Sequence, residues 1–236
     1  MDRHEKVRAA KKQHAEIWKC DASAFDSDEN VFIETGDTFF EIITFGHNAV
    51  IRGDAAIVDW CREKFKKTFA RDIMDGDNLF GLDNKLRSMG KKLGGEHIRY
   101  LHLFPERTVE KPAGFTYKFY DCDTIGEVQQ YREFDNALNF ERDVLAIAAY
   151  DGGAVLAAMA GADDYMDSMW QIGIDTSPEY RQRGLGAYLV KEIALMIEKR
   201  GKVAYYNTWS PNLASTKLAL STGFYPTWMG YPSQDL

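Results

Sequence analysis

The chain has 236 residues and a mass of 26.9 kDa, a length that suits one large domain or two small ones. Hydrophobic residues make up 45% and charged residues 28%, which is ordinary for a globular protein and excludes a disordered or collagen-like chain. The net charge of −7 and the pI near 5.3 argue against a nucleic-acid-binding protein, because phosphates favour a basic surface.

The cysteines give no sign of a disulfide framework or of a zinc site. Cys20, Cys61 and Cys122 are odd in number and far apart, and no Cys-x-x-Cys or Cys/His spacing occurs. The charged stretch 1–12 lacks the apolar run of a signal peptide, and no apolar segment of about 20 residues indicates a membrane span. We therefore expect a cytoplasmic protein with reduced thiols, no metal site and no membrane partner.

Charge is distributed unevenly along the chain. Residues 1–112 carry 19 Lys and Arg against 20 Asp and Glu, whereas residues 113–236 carry 10 against 16. The change falls close to Pro112 and Gly114, which are typical of a linker or a domain edge. The sequence therefore predicts an N-terminal α+β region over 1–112, to which no role is assigned, and a second domain over 113–236.

The N-terminal region is predicted to alternate helices and strands. Asp54 is a suitable cap for one of the helices, and the pair Gly94-Gly95 would end another. Aromatic residues in this region would form either a core or a homodimer interface. In chain order the patterns predict a helix over 3–19, strands over 31–34 and 39–51, helices over 54–69 and 79–93, and a strand over 98–104.

The C-terminal region shows clearer patterns. Asp151-Gly152-Gly153 is typical of a tight hairpin turn, and Ser210 followed by Pro211 suggests a helix start. One helix has apolar residues at every fourth position from Leu185 to Ile197. The predicted elements are strands over 115–120, 144–150, 154–161, 169–174 and 203–208, and helices over 124–134, from 185 to about 199, and from 211 to Gly223.

The segment between a predicted strand and the helix at Leu185 has the composition of an anion-binding loop. Gly184 and Gly186 stand where backbone N–H groups at a helix start have no intrahelical partner, and glycine allows a phosphate to approach the backbone closely. Arg181 and Arg183 add positive charge. The Walker and dinucleotide patterns are absent. The glycines alone are equally compatible with an ordinary turn and helix start.

The segment Pro178-Glu179-Tyr180-Arg181-Gln182-Arg183-Gly184-Leu185-Gly186 resembles the [QR]-x-x-G-x-[GA] loop of the GNAT acetyltransferase superfamily. Asn212-Leu213-Ala214-Ser215, with the helix that ends at Gly223, resembles the second signature of that superfamily. The resemblance covers about residues 113–236. It implies an α+β fold with a central, mostly antiparallel sheet flanked by helices, with the N-terminal region as an extension or a degenerate second copy of the fold.

The resemblance further implies an acetyl-CoA-dependent N-acetyltransferase, in which the amine of a small-molecule or peptide acceptor attacks the thioester directly. The extended pantetheine arm of the cosubstrate would be gripped like a strand. The residues that the resemblance assigns to acetyl-CoA are Ile174, Asp175 and Thr176 for the pantetheine arm and the acetyl carbonyl, Arg181, Gln182, Arg183, Gly184, Leu185, Gly186 and Ala187 for the pyrophosphate, and Asn212 and Ser215 for the pantetheine arm from the next helix.

The sequence departs from the superfamily at both usual proton-transfer positions. Ala219 stands where many relatives have a tyrosine that protonates the leaving thiolate, and Asn207 stands where a carboxylate base often lies. The replacement candidates are Asp163, Asp164, Tyr205, Tyr206 and Asp175, and of these we assign Asp163, Asp164 and Tyr206 as catalytic. The alternatives are that the aspartates form an ordinary acidic turn and that the tyrosines belong to the core. These departures also keep open a non-catalytic acyl-CoA-binding or regulatory module.

Overall fold

The computed structural model describes residues 1–139 and 141–236 of the chain. The helices are α1 (Arg3–Trp18), α2 (Ala55–Phe65), α3 (Ala70–Ile73), α4 (Gly76–Arg87), α5 (Leu185–Lys199) and α6 (Leu213–Ser221). The strands are β1 (Val31–Glu34), β2 (Phe40–Thr44), β3 (Ala49–Gly53), β4 (Lys91–Leu93), β5 (His97–His102), β6 (Phe115–Tyr120), β7 (Asp143–Asp151), β8 (Val155–Asp163), β9 (Met169–Thr176), β10 (Val203–Thr208) and β11 (Phe224–Asp235).

The chain divides into two compact units. The first unit contains residues 1–13, 100–208 and 212–225, and the second contains 14–99, 209–211 and 226–236. The charge pattern predicted a single boundary at residue 112. The bounds of the two units differ from it, because each unit is made of several separate segments of the chain. The assignment of 1–112 and 113–236 as separate domains stays a prediction.

The first unit is built on strands in the order β10-β9-β8-β7-β6. The β6/β7, β7/β8 and β8/β9 pairs are antiparallel, and β9/β10 is parallel. Helix α5 packs on β7, β8 and β9 through its buried apolar stripe, as its four-residue periodicity predicts. The other face is covered by a cluster that includes Ile125, Val128, Phe134 and Leu138. The predicted α+β fold, with mostly antiparallel strands flanked by helices, is confirmed.

The second unit has its own core. Its strands run in the order β1-β3-β2-β11-β4, and only β1/β3 is parallel. One cluster joins α2, α3 and α4 to β2 and β3 through residues such as Ile51, Phe65 and Leu86. A second cluster joins Trp18 and Phe25 to the strands. This unit is therefore an α+β extension, in agreement with the fold class expected from the sequence.

Two predicted helices differ from the structure. The helix over 124–134 is wrong: only a short 3-10 turn forms over Ile125–Val128, and the apolar residues that mimic a helical period are buried by packing on the sheet. The helix over 79–93 ends instead at Arg87, because Gly90 adopts a left-handed φ of 79° and the chain continues as β4.

Three further boundaries differ. The strand over 39–51 is a hairpin of β2 and β3, turned at Gly46 with a φ of 98°. The cap of the last helix is Asn212 rather than Ser210, since its side chain accepts a hydrogen bond from the Ser215 N–H. Strand β11, which follows Gly223, has no counterpart among the predicted elements.

A buried charge network fixes the C-terminal part of α5 in the first unit. Lys6 donates to the His102 carbonyl at 2.6 Å and to Glu198, and the His102 Nδ1–H donates to Glu198 at 2.8 Å. Lys191 donates to His102 Nε2 at 3.1 Å and to the Pro105 carbonyl at 2.7 Å. Burial lowers the pKa of His102, so the neutral ring can accept one hydrogen bond and donate the other.

We expect Glu198→Gln to lower the free energy of unfolding by about 3–5 kcal/mol, because it leaves the ammonium group of Lys6 buried without the carboxylate that pairs with it. Urea denaturation monitored by circular dichroism would measure the change. The control Glu63→Gln, at an exposed residue of α2, should change it by less than about 0.5 kcal/mol. A loss below about 1 kcal/mol for Glu198→Gln would contradict a compensating role for the carboxylate.

Candidate functional site

Strands β9 and β10 diverge at one end of the first unit. Their parallel register runs from Met169 opposite Val203 to Ile172 opposite Tyr206 and ends there. Beyond that point β9 continues for four residues to Thr176, still paired with β8 on its other edge. The divergence leaves an opening between two adjacent strands, a place where an extended ligand can take the position of a strand.

The backbone of β9 presents polar groups to this opening. Ser177 N–H donates to the Ala157 carbonyl, and in an antiparallel ladder only alternate residues bond the same neighbour. The N–H and C=O groups of Ile174 and Thr176 therefore point away from β8, towards the opening. The hydrogen bond that Arg181 Nε donates to the Thr176 carbonyl at 3.3 Å agrees with this orientation.

The loop before α5 has the backbone geometry of an anion site. Gln182 and Gly184 have left-handed φ values of 63° and 81°, and Gly184 is the N-cap of the 15-residue helix α5. Left-handed residues in such turns are typical of backbone nests that bind anions, and the helix dipole adds partial positive charge. The loop that was expected from the sequence to bind an anion therefore has left-handed residues at Gln182 and Gly184.

Gly186 allows α5 to approach its neighbours closely. A Cβ atom at this position would lie 2.9 Å from Leu218 Cδ1 on α6, 3.6 Å from Thr176 Oγ1 and 3.7 Å from Ile174 Cγ1. The side chains of Ile174 and Thr176 thus face the first turn of α5. A glycine here brings β9, α5 and α6 together at one point.

The two arginines of the loop are tied to its own carbonyl groups. Besides the bond from Arg181 to Thr176, Arg183 Nη2 donates to the Glu179 carbonyl at 3.2 Å, and its guanidinium lies 5.1 Å from the centroid of the Tyr180 ring. These contacts hold two exposed positive charges beside the helix start. An anionic group bound there would gain charge-assisted hydrogen bonds.

A cleft of about 540 Å³ lies between the loop and α6. It brings together seven of the twelve residues expected to bind the cosubstrate. Residues that line it from the loop and strand are Thr176, Tyr180, Arg181, Gln182, Gly184, Leu185, Gly186 and Ala187, and those from α6 are Ala214, Lys217, Leu218 and Ser221. The cleft is large enough for part of a nucleotide-sized ligand.

Helix α6 begins with two of the expected residues. Asn212 Oδ1 accepts the Ser215 N–H at 3.1 Å, and the Ser215 hydroxyl lies 2.7 Å from the Tyr206 hydroxyl. Burial raises the pKa of Tyr206, so its phenol is neutral near pH 7, although the bond with Ser215 opposes the rise. Tyr206 therefore places a hydroxyl group at the point where β9 and β10 separate.

Asp175 does not lie in the cleft but on the opposite face of β9. Its Oδ2 accepts the N–H groups of Asn136 at 2.8 Å and Ala137 at 2.9 Å, and its Oδ1 accepts Asn136 Nδ2 at 3.3 Å. Burial raises the pKa of Asp175, while these hydrogen bonds oppose the rise. Both carboxylate oxygens already have partners, which leaves the side chain poorly suited to act as a base.

The acidic residues Asp163 and Asp164 lie far along the sheet from the loop. Asp163 pairs with Gln171, five residues before Thr176, which corresponds to about 17 Å along β9. Burial raises the pKa of Asp163, and Tyr165 N–H donates to it at 3.2 Å. The structure thus separates these two carboxylates from the glycine loop, and a bound ligand would have to extend along β9 to reach them.

A third carboxyl group in this cluster was not singled out from the sequence. Asp143 pairs with Asp163 across β7 and β8. Burial raises the pKa of Asp143 to about 7, a hydrogen bond with the Asn139 backbone opposes the rise, and the charges of Asp163 and Asp164 add to it. The sequence alone did not place Asp143 opposite Asp163, because the ladder between β7 and β8 contains two register shifts between the hairpin turn and this pair.

Within residues 1–139 and 141–236, no group of three or more His, Cys, Asp or Glu side chains is placed to hold a metal ion. Across the same part of the chain, no helix combines the length and the apolar surface needed to span a bilayer.

Comparison with known proteins gives one family. The profile described as GNAT acetyltransferase matches residues 108–228, just over half of the chain. No curated protein matches the chain significantly. The matching segment includes β9, the glycine loop, α5, β10 and α6, which together form the geometry above.

Solved structures with a similar fold have low sequence identity. A GCN5-related N-acetyltransferase from Kribbella flavida has 18% identity and a TM-score of 0.50, covering 78% of this chain and 77% of its own. A tandem GNAT protein from the clavulanic acid biosynthesis pathway has 12% identity and a TM-score of 0.50, covering 68% and 59%. The chain spans 66% of a GNAT-family protein from Novosphingobium aromaticivorans (21% identity, TM-score 0.47, 61% of this chain). At these identities the likeness shows the fold alone.

The raised pKa of Asp143 predicts a pH-dependent stability. The pKa of this carboxyl group is about 7 in the folded chain and 3.8 in the unfolded chain. Its ionisation therefore leaves the free energy of unfolding unchanged below about pH 4 and lowers it increasingly as the pH rises to about 7. Asp143→Asn should therefore be stabilised relative to wild type by about 2–3 kcal/mol more at pH 8 than at pH 5. Urea denaturation at both pH values checks this, with the exposed Asp77→Asn as control. An equal difference at both pH values would contradict the raised pKa.

Proposed function

The chain belongs to the GNAT acetyltransferase family, and we propose that it is an acetyl-CoA-dependent N-acetyltransferase that acts on an amine. One observation carries the proposal: the opening between β9 and β10 leads directly to a glycine loop at the N-terminus of a 15-residue helix. A strand-like polar arm and a pyrophosphate are the two parts of CoA that such a pair of features would bind.

In this proposal the pyrophosphate lies at the start of α5. Backbone N–H groups from Gln182 to Ala187 would donate to it, and Arg181 and Arg183 would add charge. The helix start supplies positive potential locally, which would act against the repulsion of an anion by the overall charge of −7.

The pantetheine arm would follow the edge of β9 into the opening. Ile174 and Thr176 direct their backbone groups there, and amide groups of the arm can pair with them as a neighbouring strand would. Asn212 and Ser215 at the start of α6 would contact the arm from the other side. This path directs the thioester towards the point where Tyr206 and Ile172 form the last pair.

The reaction would proceed by direct attack. A protonated amine first loses one proton, because only the neutral nitrogen can attack. That nitrogen then forms a bond to the acetyl carbon, the carbon–sulfur bond breaks, CoA leaves as the thiolate and the nitrogen loses a second proton. A backbone N–H near Ile174 would stabilise the developing negative charge on the carbonyl oxygen. Our candidates for proton transfer are Asp163, Asp164 and Tyr206: the carboxylates would accept the proton, and the Tyr206 hydroxyl would protonate the thiolate.

The acceptor in this proposal is a small molecule or peptide that carries an amine. The acidic cluster of Asp143, Asp163 and Asp164 would attract a protonated amine by long-range electrostatics. We propose a cytoplasmic setting, whose reducing conditions would keep the exposed thiol of Cys122 from forming a disulfide.

We expect wild-type protein to bind acetyl-CoA in isothermal titration calorimetry and to release CoA with at least one member of a panel of primary amines. Gly184→Glu should abolish both, because it places a negative charge at the anion site. Gly153→Glu is a matched control: its φ of 80° is almost that of Gly184 at 81°, and it lies in the β7–β8 turn outside the cleft. Equal binding by the two variants, or no binding by wild type, would overturn the proposal.

A further inference from the structure

The face of β9 opposite α5 carries a platform made of two glycines. Gly161 on β8 and Gly173 on β9 are direct cross-strand partners. A Cβ atom at Gly173 would lie 2.1 Å from the Asn136 carbonyl oxygen, and one at Gly161 would lie 2.3 Å from the Ala137 carbonyl oxygen. Both distances are far below van der Waals contact, so the backbone at 136–137 rests directly on the sheet. No other residue would fit at either position without moving this segment.

The segment concerned is a compact turn over 134–138, which we call the 134–138 turn. Ala137 and Leu138 N–H groups both donate to the Phe134 carbonyl at 3.1 Å, which closes the turn internally. The side chains of Phe134, Ala137 and Leu138 are buried in the apolar cluster on this face. The turn is therefore anchored by packing on one side and by backbone contact with the glycines on the other.

Asp175 supplies the polar anchor. It accepts both backbone N–H groups at the centre of the turn, at 2.8 and 2.9 Å, and the Asn136 side-chain amide at 3.3 Å. Hydrogen bonds from an N–H group to a carboxylate are shorter and stronger than hydrogen bonds to an uncharged acceptor. Because Asp175 stands two residues from Gly173 on the same strand, its carboxylate and the glycine share one face of β9.

Alternate residues of β9 therefore face different neighbours. Ile174 and Thr176 face α5 and the cleft, whereas Gly173 and Asp175 face the 134–138 turn. If the thioester enters between β9 and β10 from the cleft, the opposite face is the one from which a second substrate can reach the carbonyl. The 134–138 turn borders that face.

We propose that Asp175 is a positioning residue that holds the 134–138 turn on the Gly161–Gly173 platform, where the turn forms a wall of the acceptor site. This inference rests on the proposed function and deepens it, since it assigns Asp175 to the acceptor side instead of to acetyl-CoA. The ordering of the turn itself follows from the contacts alone.

Two variants disturb the turn by different routes. Asp175→Ala removes both carboxylate oxygens, so the Asn136 and Ala137 N–H groups lose this acceptor. Gly173→Ala leaves the carboxylate intact and places a methyl group against the Asn136 carbonyl oxygen. Glu133→Gln is the matched control, because it removes one negative charge from an exposed residue next to the turn.

The experiment combines three measurements on the full chain. Hydrogen exchange of the Asn136 and Ala137 amides measures how well the turn is ordered. Calorimetry measures the affinity of the cleft for acetyl-CoA, and steady-state kinetics with the fastest amine of the panel measures how well the acceptor is bound and used. We expect Asp175→Ala and Gly173→Ala to speed amide exchange about tenfold or more. They should lower kcat/KM for the amine about 10- to 100-fold, as displaced positioning groups do, while the Kd for acetyl-CoA stays within about twofold.

Several results would overturn the inference. Unchanged exchange in Asp175→Ala would show that the carboxylate does not hold the turn. Unchanged kinetics for the amine, with exchange accelerated, would show that the turn is not part of the acceptor site. A rise of about tenfold in the Kd for acetyl-CoA would instead make Asp175 a cosubstrate residue. A wild-type chain that binds no acetyl-CoA would refute the proposed function and with it the acceptor wall, while the exchange data would still decide whether Asp175 holds the turn.

Discussion

The close approach of α5 to β9 and α6 is the constraint on which the site depends. Gly186 lies where a Cβ atom would be 2.9 Å from Leu218, so the helix start, the strand end and α6 meet at one point. The far end of α5 is fixed by Glu198 and Lys191, which join the buried network with His102. A helix fixed at both ends holds its first N–H groups in fixed positions. An anion site made of backbone N–H groups depends on those positions.

Strand β9 lies between the proposed acetyl-CoA site and the proposed acceptor site. Its edge beyond Ile172 diverges from β10, and its alternate side chains contact different layers of the first unit. One layer is α5 with the cleft, and the other is the 134–138 turn on its glycine platform. A strand with α5 on one face and the 134–138 turn on the other would place the two proposed ligands on opposite sides of β9.

Local patterns were sufficient for the parts of the fold in which neighbouring residues decide the conformation. The four-residue period of α5, the turn at Gly152 and the left-handed Gly184 all depend on short stretches of chain, and the structure contains each of them. The fold class and the family followed from the loop before α5 together with the signature at Asn212. The apolar residues over 124–134 were misread because burial against a sheet produced the same pattern as an amphipathic helix.

The rest of the site depends on partners that are distant in sequence. Lys6 looks like one of many charges in a solvated helix, yet it is buried against Glu198, 192 residues away. The role of Asp175 could not be inferred because its partners at 136–137 belong to an irregular turn, for which no periodicity exists. Glycines at 161 and 173 looked unremarkable in strands, and only the register shows that they stand opposite each other.

The central claim is that backbone amides at the start of α5 bind the pyrophosphate of acetyl-CoA. Backbone amide chemical shifts of isotopically labelled protein during titration with acetyl-CoA test it directly. The account predicts that the largest shifts fall on Gln182 to Ala187, with smaller ones on Ile174 and Thr176, and that 31–93 in the second unit stay unchanged. Shifts confined to the second unit, or none near Gly184 at saturating acetyl-CoA, would contradict it.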